Sequence, residues 1–185
     1  MKTVNGSTLR FFPGFEAFRL DTGEAVINGV IGGKGPPLLL LHGWPQTHVE
    51  WHRVTPMLTK HFTVIATDLR GYGDSSIPPE GSSHEGYCKR AMVLDQVEVM
   101  RQLGFDRFLV VGHDRGARVG QHMAIDYPDA VTKLALIDIV PAYKVYTHMT
   151  KEFATYYYHW FLLTQPPPLP ETILENNAEF FLRTW

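Results

Sequence analysis

Four apolar runs govern what this chain can fold into, and signals for a helix follow the first three. The runs are Pro37–His42, Phe62–Leu69, Arg107–Gly112 and Val131–Val140. A short, continuously apolar run such as Pro37–His42 suits a strand buried on both faces. Thr47-His48-Val49-Glu50 has the form of a capping box and predicts a helix ending near Lys60. Ser82-Ser83-His84-Glu85 is a second such box, predicting a helix to Leu103 with Gly104 as its stop. Arg115–Tyr127 reads as a third helix, ended by Pro128. Strands alternating with helices at this spacing imply βαβ units, an α/β fold and a mostly parallel sheet. Ahead of them, Phe15–Asp21 and Ala25–Ile31 flank Thr22-Gly23-Glu24 and read as a hairpin.

The texture changes after Pro141. Residues 142–185 carry the aromatic cluster Tyr156-Tyr157-Tyr158-His159-Trp160-Phe161 and the prolines 166–168 and 170, with no strand pattern. We therefore expect a core over residues 1–140 and a partial helical cap, or lid, over 141–185. Apolar residues at 44% and charged residues at 19% fit a globular protein, and a net charge of −2 speaks against nucleic acid as a partner. The longest strongly apolar run, Leu38–Leu41, is far too short to span a membrane, and residues 1–20 lack a signal-peptide pattern. With one cysteine, Cys88, there is no intrachain disulfide to expect. The sum is the pattern of a soluble, cytoplasmic protein.

The stretch Val111 to Arg118, VGHDRGAR, carries the chemistry. Small-x-nucleophile-x-small, after a strand and before a helix, is a nucleophile elbow, and here Asp114 holds the tip. Taken alone, the same residues could be an N-cap aspartate with arginines on a solvated face. A carboxylate nucleophile makes an ester with saturated carbon, whereas acyl carbon would give a labile anhydride. Covalent catalysis by Asp114 thus points to displacement at carbon, such as halide loss or epoxide opening, followed by hydrolysis of the ester. Arg115 and Arg118, one helical turn apart, can converge on one anion and offset its repulsion by Asp114.

Other pieces are less specific. His42-Gly43-Trp44-Pro45 closes a buried strand, so the backbone amides of Trp44 and Arg115 are the expected oxyanion donors; a plain proline loop is the alternative. Asp138, an acid inside an apolar run at the end of a strand, lies where acids orient a catalytic base; a solvated strand terminus is the alternative. His159 and Trp160 are candidate halide donors in a cluster whose commoner role is packing. His113 is expected to point away from Asp114 and to be structural. The remaining histidines (His48, His52, His61, His84, His122, His148) show no ligand spacing, so neither a metal nor a cofactor is expected.

On HGWPQTHVEWHR (42–53), DLRGYGDS (68–75), GHDRGAR (112–118), Asp138-Ile139-Val140-Pro141 and His159-Trp160-Phe161, the chain resembles the α/β-hydrolase superfamily, and most closely the fluoroacetate dehalogenases. Related epoxide hydrolases and haloalkane dehalogenases usually carry Trp after the nucleophile, where this chain has Arg115. The resemblance implies Asp114 as nucleophile, Arg115 and Arg118 as carboxylate clamp, Asp138 as partner of the base, and His159 and Trp160 as halide donors. It implies a small anionic substrate and no membrane partner, with a homodimer open to the full-length family. The catalytic histidine and a lid tyrosine would lie beyond residue 185, making the chain the amino-terminal part of a dehalogenase with Val131–Val140 as an exposed apolar edge.

Three functions stay open at this point. The first is hydrolysis of short 2-haloacids such as fluoroacetate to the 2-hydroxyacid. The second is epoxide hydrolysis, kept alive by Tyr156, Tyr157 and Tyr158. The third is a truncated, inactive fragment that binds small carboxylates.

Overall fold

A computed structural model of the chain describes residues 9–81, 84–175, 177 and 179–180. They fall into two compact units that divide between Ile139 and Val140. In the first unit, β1 (Glu16–Asp21) and β2 (Val26–Gly33) form the antiparallel hairpin, closed by a bond from Thr22 N to the Ala25 carbonyl. β3 (Pro37–Leu41), β4 (Thr63–Thr67), β5 (Phe108–His113) and β6 (Val131–Ile137) complete a six-stranded sheet. Its order is β1-β2-β4-β3-β5-β6; β4-β3-β5-β6 is parallel and β2 joins β4 antiparallel. This is the mostly parallel α/β sheet that the alternation of runs implies.

Burial follows the two-residue period of the strands. Leu39, Leu41, Ile65 and Val110 pack on one face with residues of α2 (Lys89–Gln102) and α3 (Arg115–Asp126). Leu38, Leu40, Val64 and Ala66 pack on the other, against Phe12 and Trp51. All four leucines of β3 are therefore buried, and their continuous apolar run is explained. β6 is the outermost strand among the described residues, with Leu136 and Ile137 exposed.

Three boundaries differ from the sequence reading. Thr47 does cap, accepting from Val49 N, but a 3-10 turn follows over His48–Arg53, then the one-turn helix α1 (Thr55–Leu58). The box does not close, because Glu50 turns to another partner described below. Ser82 and Ser83 lie outside the described residues. The helix assigned to them begins only at Lys89, where the Cys88 sulfur accepts from Ala91 N. It ends as expected, with Gly104 at φ +85°. β6 stops at Ile137 rather than Val140, since Asp138 turns to φ +49°.

The second unit holds four short helices: α4 (Ala142–Thr147), α5 (Lys151–Tyr156), α6 (Tyr158–Leu162) and α7 (Leu169–Glu175). Among its described residues there is no strand. Thr150 caps α5 through a bond from Phe153 N, and Phe153 stacks on Tyr157 at 4.5 Å. No helix among the described residues is long and apolar enough to cross a membrane.

Candidate active site

The elbow is built by close approach of β5, β3 and α3. A Cβ on Gly116 would collide with the Leu41 carbonyl, so only glycine lets the start of α3 lie this near β3. Asp114, between β5 and α3, has φ 44° and ψ −108°, outside the wells that side-chain-bearing residues ordinarily occupy. Two flanking bonds hold it there, Asp114 N to the Ile137 carbonyl at 3.1 Å and Arg118 N to the Asp114 carbonyl at 3.2 Å. Strain of this kind persists only where the surroundings over-determine it, and it concentrates at functional turns.

The loop after β3 meets this turn. Trp44 N donates to Asp114 Oδ1 at 3.0 Å, so one carboxylate oxygen is engaged by a backbone amide from the other side of the site. Gly43 is pressed against the elbow: a Cβ there would lie 2.8 Å from His113 Nδ1 and 2.9 Å from Asp114 Cβ. His42, fully buried, has Nδ1 2.8 Å from the Gly43 carbonyl and accepts from Leu69 N through Nε2 at 3.0 Å. A ring nitrogen that accepts carries no proton, so the proton sits on Nδ1 and is donated to Gly43. Burial pushes the His42 pKa down, which favours this neutral form.

Charges gather around α3. Arg115 is the first residue of that helix and Arg118 follows one turn later. Lys89, first residue of α2, feels both: burial above all, then the charges of Arg115 and Arg118, lower its pKa to about 8, with Cys88 and Asp114 acting in the opposite sense. Tyr72, which meets His42 edge-on at 5.1 Å, is pushed up mainly by burial; Arg115 lowers and Asp114 raises it. The sequence assigns no role to Lys89 or to Tyr72, although Tyr72 lies within DLRGYGDS. Neither is near the elbow in sequence, and only the packing of α2 on α3 and the turn after β4 bring them in.

The other predicted residues are placed as follows. Asp138 follows β6 with an exposed side chain, its Oδ2 3.9 Å from His113 Nε2. His113 does not sit passively: its Nδ1 lies 2.9 Å from Glu50 Oε1, at ion-pair distance though off the line of a hydrogen bond. By sequence Glu50 is a helix cap, yet its Oε2 accepts from Gly43 N at 3.1 Å. Its carboxyl is pushed up, by burial first and by Asp114 as well, while the Gly43 bond and His113 pull it down. His159 and Trp160 lie on α6 of the second unit, their ring planes 88° apart. Among the described residues, no group of three His, Cys, Asp or Glu side chains could hold a metal ion.

A family model for the alpha/beta hydrolase fold matches residues 36–183. The chain belongs to the alpha/beta hydrolase family. Fluoroacetate dehalogenase from Burkholderia sp is 49% identical over 170 residues, 92% of this chain and 56% of that protein. Soluble epoxide hydrolase from Corynebacterium sp. (strain C12) is 46% identical over 123 residues, 64% of this chain and 41% of that protein. Among solved structures, ALR0039 from Nostoc sp PCC 7120 superimposes with a TM-score of 0.91 at 57% identity, covering 94% of this chain and 60% of that one. This alpha/beta hydrolase chain thus spans about half the length of the curated relatives it matches.

Proposed function

We propose that this alpha/beta hydrolase is a dehalogenase of short 2-haloacids such as fluoroacetate. The observation that carries the reading is Asp114, mounted on a strained elbow with one oxygen held by Trp44 N, and followed within one helical turn by Arg115 and Arg118. The Oδ2 oxygen attacks the carbon bearing the halogen. The carbon–halogen bond breaks with its electron pair, giving halide and an aspartyl ester. Arg115 and Arg118 bind the substrate carboxylate and align the carbon for attack. Water then adds to Asp114 Cγ; the oxyanion that forms takes hydrogen bonds from Trp44 N and Arg115 N, and its collapse releases the 2-hydroxyacid. A base takes the proton of that water, with Asp138 as the acid that orients it. The resemblance to the fluoroacetate dehalogenases assigns the role of halide donor to His159 and Trp160. The 49% identical fluoroacetate dehalogenase supports this assignment.

Epoxide hydrolysis is the second reading, favoured by the 46% identical epoxide hydrolase and by Tyr156, Tyr157 and Tyr158 in the helical unit. One experiment separates them. The full-length protein is offered fluoroacetate, bromoacetate and a small neutral epoxide, with halide and diol measured. Halide without diol supports the first reading and diol without halide the second; neither product leaves a carboxylate-binding chain without activity.

A further inference from the structure

The geometry points to Glu50 as a positioning residue that, with His42, fixes the Gly43–Trp44 peptide so that its N–H addresses Asp114. A trans peptide is planar, with its C=O and N–H on opposite sides, so whatever holds the Gly43 oxygen also aims the Trp44 N–H. His42 holds that oxygen through Nδ1, and its other nitrogen is fixed by Leu69 N. One further anchor is needed, because a glycine can rotate about its own φ and ψ more freely than any other residue. Glu50 supplies it by accepting from Gly43 N at 3.1 Å.

The same carboxylate reaches the other half of the site. Its second oxygen lies 2.9 Å from Nδ1 of His113, the residue directly before Asp114. Glu50 therefore bonds to residue 43 and meets residue 113 at ion-pair distance, on the two segments between which the Trp44–Asp114 bond runs. Its side chain is only 17% exposed and sits near the Asp114 carboxylate. A partly buried acid beside another acid is unfavourable, and an apolar residue would fill the space without that cost. What Glu50 contributes and an apolar side chain cannot is the pair of links to Gly43 and His113.

The consequence for catalysis rests on the dehalogenase reading above. While the ester forms, the oxygen facing Trp44 N loses negative charge; while the ester is hydrolysed, that oxygen becomes an oxyanion. A misaimed Trp44 N–H therefore harms ester hydrolysis more than ester formation.

The test uses the full-length protein and three variants. Glu50→Met severs both links, Glu50→Asp keeps the charge but is one methylene short, and Glu50→Gln keeps the reach and an acceptor for Gly43 N. Rapid quench with bromoacetate and intact-mass analysis gives the rates of ester formation and loss. Ester hydrolysis should slow about tenfold in Glu50→Met, a fraction of the ~10²–10³ lost when an oxyanion donor is removed outright. Formation should change less than about threefold, so the ester accumulates, and Glu50→Gln should restore most of the hydrolysis rate. The second readout needs no turnover: the Trp44 backbone amide resonance and its hydrogen exchange should move most in Met, less in Asp and least in Gln. If Met does not fold, the comparison of Asp with Gln carries the same expectation. Equal slowing of both steps, or a Trp44 amide alike in all folded variants, overturns the assignment. A wild type that forms no ester sinks the dehalogenase reading instead, while the Trp44 amide still decides the role of Glu50.

Discussion

Arg70 closes a two-pronged ion pair on Asp95 inside the core, Nε to Oδ2 at 2.6 Å and Nη2 to Oδ1 at 2.8 Å, with both side chains at most 2% exposed. The remaining donors of Arg70 go to the Gly86 and Ala91 carbonyls and to Glu24, and Asp95 also accepts from Thr22 at 2.7 Å. One pair thus joins the hairpin turn, the loop after β4 and helix α2. Arg70→Leu leaves the Asp95 charge buried and uncompensated, and should cost ~3–5 kcal/mol. Urea unfolding measures it; adding Asp95→Leu should recover part of the loss, and a double variant no better than the single one would mean the pair is not the cause.

Asp68 is a second buried acid with every approach occupied. It accepts from His48 N and His48 Nδ1, both at 2.8 Å, from Asn28 Nδ2 at 2.9 Å and from Asp74 N at 3.1 Å. Burial alone would raise its pKa, but the bonds from His48 and Asn28 prevail and lower it. A carboxyl depressed by folding contributes stability that is present above its unfolded pKa of ~3.9 and lost as pH falls through the lower folded value. Thermal melts from pH 5 to 2 should show this loss, and Asp68→Asn should flatten it while lowering stability by ~1–3 kcal/mol at pH 7. An unchanged pH slope in Asp68→Asn would remove Asp68 as its source.

Lys89 gives a pH signature at the other end of the scale. It sheds its proton at about 8 in the fold, whereas an unfolded chain keeps it to ~10.4. Between those values the unfolded state binds more protons, so stability attributable to Lys89 rises with pH. Function should run the opposite way: losing this charge beside Arg115 and Arg118 should raise KM for a haloacid between pH 7 and 9, and not for a neutral haloacetamide. Lys89→Met should flatten that profile in the full-length protein. A profile that persists in the variant belongs to another group.

Substrate charge should depend on the arginine pair. Arg118→Ala is expected to weaken haloacetate turnover by ~2–5 kcal/mol, far more than that of a neutral haloalkane. Equal losses with both substrates would show that Arg118 does not bind the carboxylate.

Trp160→Phe keeps the ring and removes one N–H donor. Fluoride is the leaving group most dependent on hydrogen bonding, so defluorination should fall more than debromination. Matching losses would assign Trp160 to packing.

What the sequence made legible was local. Gly112, Asp114 and Gly116 define the elbow within five residues, and the leucines of β3 announce burial on both faces by themselves. Glu50 misleads for the same reason: three residues after a capping threonine, a glutamate satisfies a local rule, and only tertiary structure offers it Gly43 N instead. Lys89 gave no signal at all, since its surroundings depend on how α2 lies against α3. Asp138 looked like part of a strand because the apolar run continues to Val140, yet aspartate tolerates positive φ and the strand ends there.

The φ of 44° at residue 114 also limits how this protein can drift over generations. With ψ at −108° the residue lies outside even the left-handed well that aspartate and asparagine favour, so the surrounding bonds rather than its own preference hold it there. Replacements that keep the turn intact are those whose shape the same surroundings still hold, and an uncharged isostere qualifies. A descendant with asparagine at 114, close in shape to aspartate, would keep the scaffold and lose the carboxylate on which the proposed displacement depends. Such a loss would be silent to any screen that reads expression or melting temperature, and visible only to one that reads turnover.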